Sequence, residues 1–254
     1  MTKNIGIYLY DLRHPHVGLS EFDDNIARRI AERAKVWKEQ YDIRFTFIVP
    51  QYLQGHYGPR VDYAVLTHVK AFWLNHVPAL TSFPRFDLLH LTQQQPVLRR
   101  RLAPRVLLTI HDVNFFHNGL RPADVRRKAA RIDRMLRVAT HLSYISQFTQ
   151  QDIHQHFPVT QPERVIRNGV TRHDTLSAHQ PSGQLPAKYL LVLSGWDRKK
   201  NVDEIVAMMS CLPDKQLVVA GNGKAEDHVR LQAIINRLHL TNVTLLGRVS
   251  EAEK

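Results

Sequence analysis

Cysteine and long apolar runs are scarce in this sequence. Its 254 residues include a single cysteine, Cys211, which excludes an internal disulfide bond and is typical of a reducing compartment. No stretch approaches the ~18 apolar residues that a membrane-spanning helix needs. The apolar run within residues 1–10 is too short for the core of a signal peptide. We therefore expect a soluble protein of the cytoplasm.

Signatures of metal, nucleic-acid and dinucleotide sites are missing as well. Two His-X-His segments, residues 14–16 and 154–156, lack cysteine or carboxylate partners at a recognised ligand spacing. The sequence has no helix-turn-helix, zinc-finger or aromatic RNA-binding signature, and no G-x-G-x-x-G follows the first apolar run. These absences predict a protein with no metal site, no nucleic-acid partner and no dehydrogenase activity.

Positive charge, by contrast, is abundant. The formal net charge is +12, and eleven Lys or Arg stand against three Asp between Arg99 and Arg137. Localised positive charge attracts phosphosugars, nucleic acids or an anionic membrane surface. The run Arg99-Arg100-Arg101 is either a phosphate clamp or a solvated face, and both interpretations stay open.

The rest of the sequence alternates apolar strands with amphipathic helices, an order typical of a parallel doubly wound α/β fold. The predicted strands are Asn4–Tyr10, Arg44–Val49, Asp87–Thr92, Arg105–Ile110, His141–Ile145, Arg164–Arg167, Tyr189–Leu193, Gln216–Ala220 and Val243–Leu246. Residues 173–187, rich in Ser, His, Gln and Pro, predict a linker between domains at 1–172 and 188–254. The second domain has fewer strands than the five or six of common doubly wound sheets, so we expect it to be incomplete.

The first predicted helix begins with polar residues. Ser20 is expected to cap this helix, and Asp23 to complete a shortened capping box. Five residues at helical spacing predict the stripe that faces the core: Phe22, Ile26, Ile30, Ala34 and Trp37.

Two loops in the second domain predict a site for a phosphorylated ligand. A basic turn, Asp197–Asn201, follows the strand at 189–193, and the turn Gly221-Asn222-Gly223 follows the strand at 216–220. Ligands of doubly wound sheets bind outside the carboxyl ends of the strands, and helix N-termini attract anions. We expect Arg198 and Lys200 to supply cations, and the glycine turn to supply accessible backbone. The alternative is a solvated charge run beside an ordinary turn.

His111 is the candidate functional residue of the first domain, because it directly follows a predicted parallel strand. Its ring could donate a hydrogen bond to a sugar hydroxyl or to a phosphate oxygen. The alternative is a structural histidine whose ring is bonded to a backbone carbonyl.

The order of these parts resembles the GT-B glycosyltransferases of family 4. This retaining group includes many bacterial mannosyl- and glucosyltransferases of lipopolysaccharide and capsule synthesis. The stretches that carry the resemblance are Thr109–Asn114, Tyr144–Thr149, Val165–Val170, Gly195–Asn201, Val218–Gly223 and Leu245–Ser250.

The resemblance implies two Rossmann-like domains that face each other across a cleft, with the acceptor mainly on the first and a nucleotide-sugar on the second. The implied reaction is transfer of a hexose of mannose or glucose type, with retention, from a GDP- or UDP-sugar to a lipopolysaccharide, capsule or other glycan acceptor. The acceptor could be lipid-linked, and peripheral contact with the anionic inner membrane is left open. The resemblance implies no metal or other cofactor.

The resemblance also assigns roles to individual residues. Gly18 lies where the family's glycine loop approaches the donor phosphates, and His111 matches the catalytic-site histidine that contacts the donor sugar. Lys200 matches the lysine that binds the diphosphate, and Arg198 is the nearest candidate for its arginine partner. Trp196 stands where the family commonly has an arginine directly after the glycine of the basic turn.

One expected motif is missing. The family's glutamate pair, which contacts the ribose and the donor sugar, should follow Gly247–Ser250, and Glu251 and Glu253 are too close together to replace it. We therefore expect a chain truncated within the donor domain, with little or no transfer activity. The alternative function is a non-catalytic fragment that binds anionic ligands.

Overall fold

The computed structural model describes residues 2–14, 18–170, 185–250 and 253. The chain divides into two compact units, residues 1–170 and 171–254. Most of the linker predicted at 173–187 lies outside the described residues, so the linker stays a prediction. Glu251 also lies outside the described residues. None of the described helices combines the length and apolar character needed to cross a membrane.

The first unit is built on a seven-stranded sheet in the order β3-β2-β1-β4-β5-β6-β7, in which all neighbouring strands are parallel. The strands are β1 Lys3–Tyr8, β2 Ile43–Val49, β3 Asp62–Val65, β4 Leu88–Leu91, β5 Arg105–Ile110, β6 His141–Tyr144 and β7 Glu163–Val165. The strand order reverses between β1 and β4, which is where ligands bind in doubly wound sheets.

Helices pack on the two faces of this sheet. They are α1 Gly18–Tyr41, α2 His68–His76, α3 Pro122–Val138 and α4 Gln147–His156. Successive side chains of a strand point to opposite faces, so Ile7 joins the core under α1 whereas Tyr8 joins the larger core on the other face. Ser146 caps α4, because its Oγ accepts a hydrogen bond of 3.1 Å from Thr149 N.

The second unit has a smaller parallel sheet in the order β10-β9-β8. Its strands are β8 Leu190–Leu193, β9 Leu217–Ala220 and β10 Val243–Gly247, and its helices are α5 Val202–Met208 and α6 Ala225–Arg237. β9 is buried throughout, and Trp196, Val206 and Leu231 pack beside it in the core. The two parallel sheets with packed helices confirm the α/β, doubly wound fold class.

Candidate functional site

In the second unit, the basic turn and the glycine turn lie against each other. β8 and β9 are parallel neighbours, so both turns emerge at the same edge of the sheet. Trp196 N donates a hydrogen bond of 3.1 Å to Asn222 O, and Ser194 N donates one of 3.0 Å to Ala220 O. The structure therefore brings together the two loops that the sequence predicts to act together.

The glycines let these loops approach each other closely. Gly221 has φ +146°, and a Cβ atom there would lie 1.7 Å from Ser194 O. A Cβ at Gly223 would lie 2.8 Å from the Trp196 ring. Side chains at these positions are excluded by the chain itself, so packing alone accounts for both glycines.

The basic turn exposes two cations that have no acidic partner among the described residues. Arg198–Lys200 form a 3-10 turn, which ends at Asn201 in the left-handed conformation (φ 54°, ψ 30°). Lys199 Nζ lies 4.0 Å from the Asp197 carboxylate. Within the described part of the chain, the Arg198 and Lys200 side chains form no ion pair. These two side chains are therefore free to meet an anion from solution.

A buried tryptophan and an arginine of α6 fix the position of the basic turn. Trp196, at the position where the resemblance expects an arginine, is 3% exposed and belongs to the core of the unit. Arg230 Nη2 donates a hydrogen bond to Trp196 O, and Arg230 Nε lies 3.0 Å from both oxygens of Asp203 on α5. Trp196 thus contributes packing in place of charge, and Arg198 is the first exposed cation of the loop.

In the first unit, Gly18 and His111 lie at the same edge of the seven-stranded sheet. Gly18 begins α1 after β1, and His111 directly follows β5. Phe22, in the first turns of α1, places its ring perpendicular to the His111 ring with 4.6 Å between centroids. A Cβ at Gly18 would meet nothing within 4 Å, so local packing does not require a glycine there.

His111 is buried and well bonded. Its ring Nε2 lies 2.9 Å from Thr92 O, and its backbone N donates to Gln94 Oε1 at 3.1 Å. A carbonyl only accepts hydrogen bonds, so Nε2 carries the proton. Burial lowers the pKa of His111, which favours the neutral ring and leaves Nδ1 as an acceptor. The Thr92 bond matches the structural alternative for Nε2, while Nδ1 retains the capacity to bind a hydroxyl.

Asp23 is a buried acid that sequence reasoning misread. α1 begins at Gly18, so Asp23 lies within the helix instead of in a capping box, and Ser20 Oγ donates to His14 O. Asp23 is 1% exposed, and its Oδ2 has no hydrogen-bond partner within the described residues. Burial raises the pKa of Asp23 to about 8, opposed by a hydrogen bond with Thr92 and aided by the charge of Asp11.

The predicted core stripe of α1 is confirmed for Ala34, which is in the core, and for Ile26, Ile30 and Trp37, which pack against it. The buried residues of this helix are Ser20, Asp23, Ala27, Ala31 and Ala34, whereas Phe22, Ile26, Ile30 and Trp37 are only partly buried. Small side chains let the helix backbone lie close to the sheet, and this proximity encloses Asp23. An acidic residue in phase with three alanines is the signal that could have identified it.

The basic region at 99–137 does not act as a single clamp. Arg101 Nε donates to Val138 O at 3.2 Å, so it is tied to the end of α3. Three other arginines, two of them from α3, line a small pocket of about 40 Å³. The residues around this pocket are Gln95, Pro96, Arg99, Arg131, Arg134 and Met135. Arg99 is therefore the only member of the triple-arginine run at this pocket.

Comparisons with known proteins agree on the fold. No protein-family model matches the sequence, and the search of curated proteins found no significant match. Among solved structures, the apo form of the lipopolysaccharide outer core galactosyltransferase WaaB matches with a TM-score of 0.57 and 13% identity, covering 98% of this chain and 68% of that one. The structure of trehalose-6-phosphate from E. coli bound with UDP-2-fluoro glucose matches with a TM-score of 0.56 and 11% identity, covering 99% and 75%. At such low identity the likeness shows the fold alone, that is, parallel α/β sheets packed with helices.

Proposed function

We propose that the protein is a glycosyltransferase that takes a hexose from a nucleotide-diphosphate sugar. The observation that carries this proposal is the pair of exposed cations, Arg198 and Lys200, which have no ion-pair partner among the described residues and lie at the edge where β8 and β9 end. A departing nucleotide diphosphate gains negative charge as the sugar leaves, and fixed cations stabilise that charge. The fold shared with a galactosyltransferase and with a protein that binds UDP-2-fluoro glucose supports this assignment.

Arg198 and Lys200 attract an anion to this edge of the sheet more strongly than the N-terminus of α6 does. α6 begins at Ala225, shortly after the glycine turn, but Glu226 and Asp227 occupy its first turn. Asp227 Oδ2 already accepts the hydrogen bond of Lys224 N at 3.0 Å. Acidic side chains that fill a helix N-terminus repel a second anion. The diphosphate is therefore assigned to the basic turn, with the backbone of Gly221–Gly223 beside it.

The edge of the first unit suits neutral ligands instead. His111 offers an unprotonated Nδ1, which accepts a hydrogen bond from a hydroxyl and repels the oxygens of a fully ionised phosphate. We therefore assign sugar hydroxyls to His111 and the phosphates to Arg198 and Lys200. Retention of configuration, a lipopolysaccharide, capsule or other glycan acceptor, a cytoplasmic location and peripheral membrane contact are parts of the same proposal.

Ligand titration tests the donor assignment. We expect UDP-glucose, UDP-galactose or GDP-mannose to bind more tightly than NAD or duplex DNA of equal concentration. Arg198→Ala and Lys200→Ala should each weaken binding roughly tenfold, as expected for loss of a charge-assisted hydrogen bond of about 1.5 kcal/mol. Lys199→Ala is the matched control, because Lys199 already neighbours Asp197. Equal losses in all three variants, or tighter binding of NAD or DNA, would contradict the assignment.

A second candidate function is a non-catalytic module that binds anionic ligands. The same exposed cations would hold a diphosphate whether or not transfer follows. Transfer of labelled sugar to a glycan acceptor, measured on protein with proven donor binding, separates the two functions. Binding without transfer to any acceptor tested would favour the second candidate.

A further inference from the structure

Two histidines and one aspartate of the first unit meet beside the loop that follows β5. His117 ends the short 3-10 turn that follows β5. Asp152 and His156 are one turn apart on α4, so their side chains lie on the same helix face. The three residues come from two elements that the sequence gives no reason to pair.

Their ligand atoms already lie at distances close to those of a metal site. His117 Nε2 is 2.9 Å from both carboxylate oxygens of Asp152, and His156 Nε2 is 3.5 Å from Asp152 Oδ1. One ligand atom from each residue can be chosen so that all three lie within 4.8 Å of one another. Around a tetrahedral zinc with bonds near 2.1 Å, neighbouring ligand atoms are roughly 3.4 Å apart. Small side-chain movements would therefore close the site.

The charge balance of the cluster also favours a cation. The Asp152 side chain is only 4% exposed, and within the described residues its charged partners are the two histidines alone. A buried carboxylate needs a compensating positive charge. A divalent ion bound between the three groups would supply that charge.

The surroundings fix one ligand and leave room for others. The His156 ring stacks on Phe116 with 3.7 Å between centroids, which orients its Nε2. The His117 side chain is 48% exposed, so one side of the cluster is open to solvent. Three protein ligands with an open side are typical of zinc sites that keep a water or substrate position.

We propose that His117, Asp152 and His156 bind a divalent transition-metal ion, with zinc the expected occupant. Two imidazoles and one carboxylate select such ions over Mg²⁺ and Ca²⁺, which prefer all-oxygen ligands. The prediction of no metal came from the His-X-His segments. His154 instead bonds Glu163 at 2.9 Å, and residues 15–16 lie outside the described residues.

Zinc titration of the tag-free, chelator-treated protein against a chromophoric competitor tests the site. The chain has 15 histidines, so weak adventitious binding must be separated from one stoichiometric site. We expect one Zn²⁺ per chain, no competition from Mg²⁺, and a strong visible absorption when Co²⁺ replaces zinc. His117→Ala, Asp152→Asn and His156→Ala should each weaken this site by roughly tenfold or more.

His154→Ala is the matched control, since this histidine lies on the same helix and is similarly exposed. Thermal unfolding in chelator shows whether each variant is folded. If the Asp152→Asn variant does not fold because Asp152 is buried, zinc binding by the His117→Ala variant decides the test, since His117 is half exposed. A protein that shows no saturable site, or that loses zinc equally in His154→Ala, would overturn the proposal and leave an ion pair only.

Discussion

The two units end their sheets in chemically opposite ways. At the carboxyl edge of the seven-stranded sheet, His111 and Asp23 are buried, and burial favours the neutral form of both. At the corresponding edge of the three-stranded sheet, the basic side chains of Arg198 and Lys200 are exposed. Under the proposed function, the same strand-end position binds hydroxyls in one unit and phosphates in the other, because the burial of the side chains differs while the sheet architecture does not.

The strands themselves differ in the same way. β5 and β8 are both leucine-rich apolar runs. β5 lies between two strands and is largely buried, whereas in the edge strand β8 Leu190, Leu191 and Leu193 are 44–53% exposed. The burial of a strand is therefore decided by its neighbours, which a local sequence pattern does not reveal.

The largest expected effect is on the free energy of unfolding, when one glycine of each unit is replaced by alanine. Gly221→Ala places a Cβ against Ser194 O at a φ that L-residues rarely adopt, and should destabilise the second unit by roughly 4 kcal/mol or more. Gly18→Ala meets no atom within 4 Å, so it should leave the stability of the first unit unchanged within about 1 kcal/mol.

Thermal and denaturant unfolding of each variant measures the contrast. Gly18→Ala also separates stability from binding. A loss of nucleotide-sugar affinity in this folded variant would indicate that a ligand approaches Gly18. Comparable destabilisation by the two substitutions would contradict the packing described for Gly221.

The next largest effect is a pH dependence of stability, which tests whether the Asp23 side chain is neutral in the folded protein. The Asp23 carboxyl of the folded protein keeps its proton up to about pH 8, whereas the unfolded chain releases it near pH 3.8. The contribution of Asp23 to stability should therefore be fully present below about pH 4 and be lost as pH rises to about 8. Asn cannot titrate, so Asp23→Asn should gain up to roughly 5 kcal/mol over the wild type at pH 8, and this gain should vanish near pH 4.

Unfolding free energies of both proteins across this pH range provide the measurement. The comparison cancels the opposite contribution of His90, whose pKa burial lowers to about 4. A constant difference between the two proteins at all pH values would show that Asp23 is ionised in the folded state.

A smaller effect distinguishes the central strand from the edge strand of the second unit. Leu190 and Leu217 are partners in the β8–β9 register, but Leu190 is 44% exposed and Leu217 only 2%. Leu217→Ala should cost roughly 2–5 kcal/mol, and Leu190→Ala less than about 1 kcal/mol. Chemical denaturation of the two variants checks this difference, which would disappear if β8 were as well covered as β9.

Much of this structure was predictable from the sequence, because strands and helices follow local periodicity. The strands near residues 105–110, 141–144 and 243–247 lie where the apolar runs predict them, and the basic and glycine turns meet as expected. Residues 51–84 contain β3 and α2, which the strand-like pattern Tyr63–Leu66 and the helix-like pattern Val69–Asn75 indicate even though Pro and Gly interrupt this region.

The individual site residues were harder to predict, because their chemistry depends on contacts between distant elements. Asp23 is buried only because Ala27, Ala31 and Ala34 bring α1 close to the sheet. His117 and Asp152 meet through the packing of α4 beside the loop after β5. Neither arrangement has a local sequence pattern, so polarity alone suggested a helix cap in one case and nothing in the other.

The smallest expected effect is a salt dependence that compares the two edges directly. If Arg198 and Lys200 bind the diphosphate, nucleotide-sugar affinity should fall as ionic strength rises, because salt screens exposed charges. Lys200→Ala should reduce that slope, since one of the cations is gone. His111→Asn should weaken binding but keep the wild-type slope, because a neutral ring contributes no charge to be screened. Isothermal titration between low and physiological salt measures both variants. A reduced slope in His111→Asn would mean that the ring is protonated when the ligand binds, and that the edge of the first unit also recognises phosphate.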